Sequence, residues 1–511
     1  MILQGVVRTS SRRCVAVAAL TLALALAGCA AHSPMEVAVQ AGAAVDPRSA
    51  ASAGGLLAGA AVRVITPDLD APGRTVYVGG LARGLPAAGV NDELFARALV
   101  VSDPGGVSVG LVVLDLIGFF HDDVVKVREE LRARYPEVAL EHLAVASTHT
   151  HAGPDVIGLW LPIGQSVDAQ YVAEVRSKAV DAIAEAWRAR RSAEIFVGAS
   201  SAPGLAKDTR LPELTDDAVL VMGLRGRADG RPIATLVNWN SHPSVAGKEN
   251  ADLSADFPRG TVALMEREWG GVCIYTSGAL GGQIGSGRVK ITDPLTGEAP
   301  STRARRAELV GEKLGGIALA ALREAEGRGA APASTIRVRQ RDIMVPLDSV
   351  RFVTGLSIGL IHPRRLWSND GKSEGLLPSE LADPTSLRPG LFSLRSEVAV
   401  IDIGPARWAL VPGELYPELS LGRFQEPQDT GADFQGAERE FALRPGSDLP
   451  VFIIGLANDE LGYIIPRSQW DSEPPYAYGL EEPQYGEMNS AGPQTAPIVM
   501  RAFEEILAQP M

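Results

Sequence analysis

Cysteine, histidine and positive charge are all scarce in this chain, and each scarcity excludes something. There are 3 cysteines in 511 residues. Cys14 and Cys29 fall near the N-terminus and Cys273 stands alone beyond them, so no intramolecular disulfide is expected. Lysine and arginine (48) are outnumbered by aspartate and glutamate (61), giving a net charge of -13. A surface of that sign does not neutralise phosphates, which excludes general nucleic-acid binding. No G-x-S-x-G elbow occurs, so an α/β-hydrolase triad has no support. The glycine-rich stretch Thr276–Gly287, "TSGALGGQIGSG", lacks the Lys-Ser/Thr of a phosphate-binding loop. Its glycines instead suit a close approach of backbone to a ligand or metal. Beyond the N-terminal segment, no apolar run is long and charge-free enough to span a bilayer. Histidine occurs only 7 times, so its placement carries information.

What remains has the composition of a globular protein, 46% hydrophobic and 21% charged. The N-terminus is different. Arg8, Arg12 and Arg13 precede the apolar run "VAVAALTLALALAG", which ends in "LAGC" at Cys29. That ending resembles the lipobox of bacterial lipoproteins, which implies lipidation of Cys29 and an extracytoplasmic protein anchored at a membrane surface; a plain secretory signal is the alternative. Residues 1–29 are read as the signal peptide, 30–59 as an Ala-, Ser- and Gly-rich tether, and 60–511 as one catalytic domain.

Along that domain, β-branched and apolar runs alternate with helical patterns. The runs are "VSVGLVVLDLIG", "LEHLAVAS", "AEIFVGAS", "IATLVNWN", "GVCIYTSGA", "VAVIDIG", "WALVPGE" and "PVFIIGLAND". The helical patterns are "DDVVKVREELRARY", "DAQYVAEVRSKAVDAIAEAW", "TRARRAELVGEKLGGIALAALREAE" and "TAPIVMRAFEEILAQ". This order predicts an α/β fold, a single large domain with a mixed β-sheet and flanking helices. Gly404-Pro405 between two apolar runs predicts a hairpin. The irregular stretch 345–393 is expected to form a pocket wall or lid.

Several runs end in residues suited to metal chemistry. His149 and His151 follow "LAVAST", and in continued strand conformation they would share a face. His242 ends "LVNWNSH", Glu414 follows "WALVPG", and Asn458, Asp459 and Tyr463 follow "FIIGLA". Two imidazoles, a carboxylate and an open position make a common catalytic zinc shell. Asp115, a carboxylate inside an apolar strand, is costly unless it is bonded, and is read as an orienting partner of the ligands. His121 is read as a local helix cap, and His142 and His362 as surface residues.

Taken in order, these segments resemble the catalytic domain of the neutral ceramidases, zinc amidases that hydrolyse the N-acyl bond of ceramide. The resemblance runs from "GVNDELFARALVV" through "STHTHAGPD", "NWNSHPS", "LVPGELYPEL" and "GLANDELGYIIP" to "EEPQYGEMNSAG". It implies Zn2+ held by His149, His242, Glu414 and Tyr463, with His151, Tyr485 and Arg210 as catalytic neighbours, and a lipid-like N-acyl substrate. Tyr463 would be an unusual fourth ligand, or else a hydrogen-bond donor beside the ion. Two departures stand out. Ile284 occupies the place of the family's active-site serine, with Ser286 two residues on, and this predicts poor cleavage of long-chain ceramide. The family's C-terminal immunoglobulin-like domain is not expected here. Two alternatives stay open: a zinc hydrolase of another acyl bond such as an ester, and a non-catalytic lipoprotein that binds metal or lipid.

Overall fold

Near-continuous apolar runs are the signature of strands covered on both faces, and this chain places its strands that way. The computed structural model describes residues 55–509 except 288, 333–334, 370, 372–374, 384–386 and 427–438. The signal peptide and all but the end of the tether lie outside the described residues.

The large sheet contains β1 (Leu56–Val64), β2 (Phe95–Ser102), β3 (Ser108–Leu114), β4 (His142–Ser147), β5 (Arg191–Ser201), β6 (Ala218–Gly226), β7 (Pro232–Trp239) and β8 (Val272–Ser277). Its order is β8-β7-β6-β5-β1-β2-β3-β4. The two outermost pairs are parallel and the pairs between them antiparallel. A second sheet holds β9 (Ile336–Pro346), β10 (Ser393–Ile403), β11 (Ala406–Leu410) and β12 (Val451–Ile454), in that order. The expected hairpin is β10–β11, closed where Ile403 pairs with Ala406.

Leu99, Leu111, Ala144 and Ile195 of the large sheet pack against Ile401, Trp408 and Phe452 of the second. The alternate residues Ala98, Val100, Val112 and Val145 meet Val175, Ala179 and Ile183 of helix α2 (Ala169–Arg188). Helices α3 (Phe257–Glu268) and α4 (Arg303–Arg328) cover Val221, Val237 and Tyr275 farther along the same face. Helix α6 (Thr495–Leu507) packs on β9 and β10 from outside. The layers therefore run helix, sheet, sheet, helix. The sequence led to most of these strands and helices but not to their division between two sheets, because both faces of each sheet are buried and periodicity does not distinguish them.

Two other boundaries differ from expectation. β1 begins at Leu56, inside the stretch read as tether, and pairs with β2 and β5 in the middle of the sheet. β1, β2, β6 and β9 were not among the predicted strands, and α3 was not among the predicted helices. Finally, the large sheet curls until its two edges approach. Ser277 Oγ, at the end of β8, donates to the Thr148 carbonyl just past β4 at 2.7 Å. That contact brings distant strand ends to one place.

Candidate metal centre

The chain leaves β4 at Ser147 and turns sharply. His149 has φ 65°, in the left-handed region, so it does not continue the strand. The alternation that predicted a shared face does not apply; the turn brings His149 and His151 together instead. Their rings meet edge to face with centroids 4.8 Å apart, and His149 lies 4.8 Å from the His242 ring. One ring nitrogen from each of the three falls within 4.8 Å of the others. Glu414 Oε2 sits 2.8 Å from His242 Nε2 and 3.2 Å from His149 Nε2. The Tyr463 hydroxyl lies 3.2 Å from His242 Nε2.

Backbone carbonyls set the tautomers. His149 Nδ1 lies 2.5 Å from the Ile117 oxygen and His242 Nδ1 lies 3.2 Å from the Gln283 oxygen. A carbonyl only accepts, so each Nδ1 carries the proton and each Nε2 keeps its lone pair. Two lone pairs and a carboxylate oxygen then converge on one point, an arrangement that calls for a cation. Burial alone would raise the Glu414 carboxyl, but the neighbouring His149 and His242 hold it well below the usual carboxylate range. The donor set thus fits a divalent ion of the zinc type, with nitrogen and oxygen ligands.

His151 differs from its neighbours. Neither ring nitrogen has a hydrogen-bond partner of good geometry. Burial, helped by the neighbouring His149 and His242, pushes its pKa well below 6.5, so the ring is neutral. The Gly80 backbone lies against it: a Cβ at residue 80 would come within 2.6 Å of the ring, and φ there is 117°. Sequence reading missed Gly80; the only signal was the adjacent pair Gly79-Gly80.

Tyr463 is buried, and burial with the Glu414 charge keeps its phenol protonated. Tyr485 stands nearer the mouth, 53% exposed, its hydroxyl accepting from Asn489 Nδ2 at 2.7 Å. Arg210 lies behind Tyr485, outside the cavity lining. It donates to Glu487 at 2.6 and 2.9 Å and to the Tyr485 carbonyl at 3.1 Å. It braces the segment that carries Tyr485.

Other expectations change. Asp115 accepts from the Phe95 N–H at 2.9 Å, and carbonyls, not Asp115, orient the imidazoles. Asn458 and Asp459 are scaffold. Asn458 Oδ1 accepts from Val145 N at 2.9 Å. Asp459 Oδ1 accepts from the His121 N–H at 3.1 Å, capping helix α1 (His121–Arg134) in place of any side chain from residue 121. His142 and His362 are buried, not superficial: His142 Nδ1 meets Gln340 Oε1 at 2.7 Å and His362 Nε2 meets Asp123 Oδ2 at 2.8 Å. Polar sequence neighbours concealed partners supplied from remote elements. The glycine-rich turn does approach the site by its backbone. A Cβ at Gly281 would stand 2.7 Å from the Glu414 carbonyl. Ile284 lies in the short strand Gln283–Ser286 and is not among the residues that line the cavity. The Ser286 side chain lies outside what is described.

From the histidines an apolar cavity of about 620 Å³, including its open mouth, extends past Phe120, Ile157, Leu159, Trp160 and Leu394. The segment 345–393 supplies Leu347, Phe352, Leu356, Ile361 and Arg364 to it, which makes that segment a wall. Two of these residues, Phe352 and Leu356, come from helix α5 (Val350–Ser357).

No family model matches the chain. Among curated proteins, Neutral ceramidase 2 of Arabidopsis thaliana is 38% identical over 89 residues, 17% of this chain and 12% of that protein. Neutral ceramidase of Oryza sativa subsp. japonica is 35% identical over 89 residues, 17% of this chain and 11% of its own. The match therefore spans only a small part of the relatives' length. The solved neutral ceramidase from Pseudomonas aeruginosa superposes with a TM-score of 0.62 at 16% identity, covering 88% of this chain and 74% of that one. A ceramidase complexed with C2 gives a TM-score of 0.62 at 17% identity, with the same coverage. At such identity the structures show the fold, and the fold is that of the neutral ceramidases.

Proposed function

We propose that this neutral-ceramidase-like chain is a zinc-dependent hydrolase cleaving the N-acyl bond of a lipid-like substrate. The observation that carries the reading is the convergence of His149 Nε2, His242 Nε2 and Glu414 Oε2, with both Nδ1 atoms committed to carbonyls. His149, His242 and Glu414 would hold the ion, with Tyr463 as a further ligand or as a hydrogen-bond donor beside it. When bound, zinc supplies Lewis acidity and a water acidic enough to attack near neutral pH.

The chain's own residues supply the rest. His151 is neutral with both nitrogens unpartnered, so it is free to take a proton from the attacking water and give one to the leaving amine. The Tyr485 hydroxyl stands at the cavity beside the donor set, placed to hydrogen-bond the developing oxyanion. The apolar wall takes the acyl chain and excludes water from it.

Metal analysis of the purified protein, followed by a hydrolysis screen over N-acyl amines and esters, tests this reading. We expect one zinc per chain, a lower Tm after chelation, and loss of metal and turnover in His149→Ala. Normal turnover in a metal-free His149→Ala preparation would defeat the site as drawn. Esters as the sole substrates would shift the reading to the other acyl bond.

A further inference from the structure

Two buried side chains of the charged type, Glu460 and Arg364, line the apolar cavity without belonging to the donor set. Glu460 is 5% exposed. Its Oε1 accepts from the Gly462 N–H at 2.9 Å, while Oε2 has no partner. Arg364 is 4% exposed. One terminal nitrogen donates to Asp459 Oδ2 at 2.8 Å and the other to the Glu460 carbonyl at 3.4 Å, while Nε–H has no partner. Buried polar atoms are normally satisfied, so two orphans on one cavity point to a group that arrives with the ligand.

The charges say which group. Asp459 balances the Arg364 guanidinium. Glu460 Oε1 is taken by the Gly462 N–H, so Oε2 is the carboxyl oxygen left for a ligand, and the Arg364 Nε–H beside the same cavity can only donate. A neutral oxygen group can accept from Nε–H and, as a hydroxyl, also share a hydrogen bond with Oε2. An incoming carboxylate would meet two acidic neighbours; a hydroxyl, ether or carbonyl oxygen would not.

We propose that Glu460 and Arg364 form a recognition point for a neutral oxygen acceptor that the substrate carries besides its scissile acyl group. The proposal rests on the hydrolase reading for the identity of the occupant. These are specificity residues, acting on substrate binding and not on the metal.

The test is binding of uncleavable long-chain ketones, in which a methylene replaces the scissile nitrogen. The probes differ only in a hydroxyl near the ketone on one side, on the other side, or absent. Wild-type protein should bind one hydroxyketone on the order of tenfold more tightly than the plain ketone. Glu460→Gln keeps an acceptor for Gly462 and a polar group towards the cavity, and should keep the preference. Glu460→Met should bind the plain ketone like wild type and bring the ratio to within about twofold. Equal wild-type affinity for all probes, or a preference that survives Glu460→Met, overturns the proposal. If Glu460→Met does not fold, Arg364→Lys decides, since it keeps a cation opposite Asp459 but removes Nε–H; an unchanged preference there overturns it equally. Turnover is assayed separately. Preference without turnover defeats only the hydrolase reading, and turnover without preference defeats only this one.

Discussion

The ring of His151 has its place because residue 80 lacks a Cβ. Gly80→Ala should displace that ring while leaving His149, His242 and Glu414 undisturbed. We expect kcat to fall on the order of a hundredfold, with metal content retained. Loss of metal in step with activity would show that residue 80 supports the fold, not the ring. A second residue-scale outcome concerns Asp115, whose carboxyl is pushed up to about 6, chiefly by burial, against the opposing influence of Arg97. Its folded pKa exceeds the ordinary aspartate value of 3.8. Its contribution to stability is therefore complete below that value and is lost as pH rises through about 6. Asp115→Asn keeps an acceptor for the Phe95 N–H and should match wild type near about pH 4. By about pH 8 it should be more stable by up to about 3 kcal/mol. Denaturant melts at the two pH values check this; a pH-independent difference would mean that the carboxyl is not the titrating cause.

At the scale of elements, α5 contributes Phe352 and Leu356 to the cavity while Val350 faces solvent. Phe352→Ala should raise KM for long-chain substrates about tenfold and leave kcat on a short-chain substrate near wild type. An equal loss on short and long chains would place Phe352 in the chemistry and not in the wall. The elements also show what sequence carries. Apolar runs marked the strands around the site, and their ends marked His149, His242, Glu414 and Tyr463. The turn at His149 was not legible, because a left-handed residue leaves no trace in hydrophobic periodicity. Nor were the partners of His142, His362 and Asp459, each bonded across a long sequence separation. Asp459 joins the start of α1 to Arg364 of the cavity wall, a link that only the assembled fold reveals.

At the scale of the whole molecule, the described residues belong to one compact unit, and no helix among them is long and apolar enough to cross a membrane. Membrane attachment is proposed through Cys29, supported by the "LAGC" ending of the N-terminal apolar run. Native protein should partition into the detergent phase and Cys29→Ala into the aqueous phase. Identical aqueous partition of both would remove the anchor from the account. One feature of the fold bears on how this site tolerates change. The atoms that settle the protonation of His149 and His242 are the carbonyl oxygens of Ile117 and Gln283, which every amino acid possesses. A mutational scan would find the imidazoles indispensable and pass over residues 117 and 283, provided the chain kept its path. This layer of the site is heritable as shape rather than as letters, so distant descendants can keep it after the surrounding sequence has drifted beyond recognition.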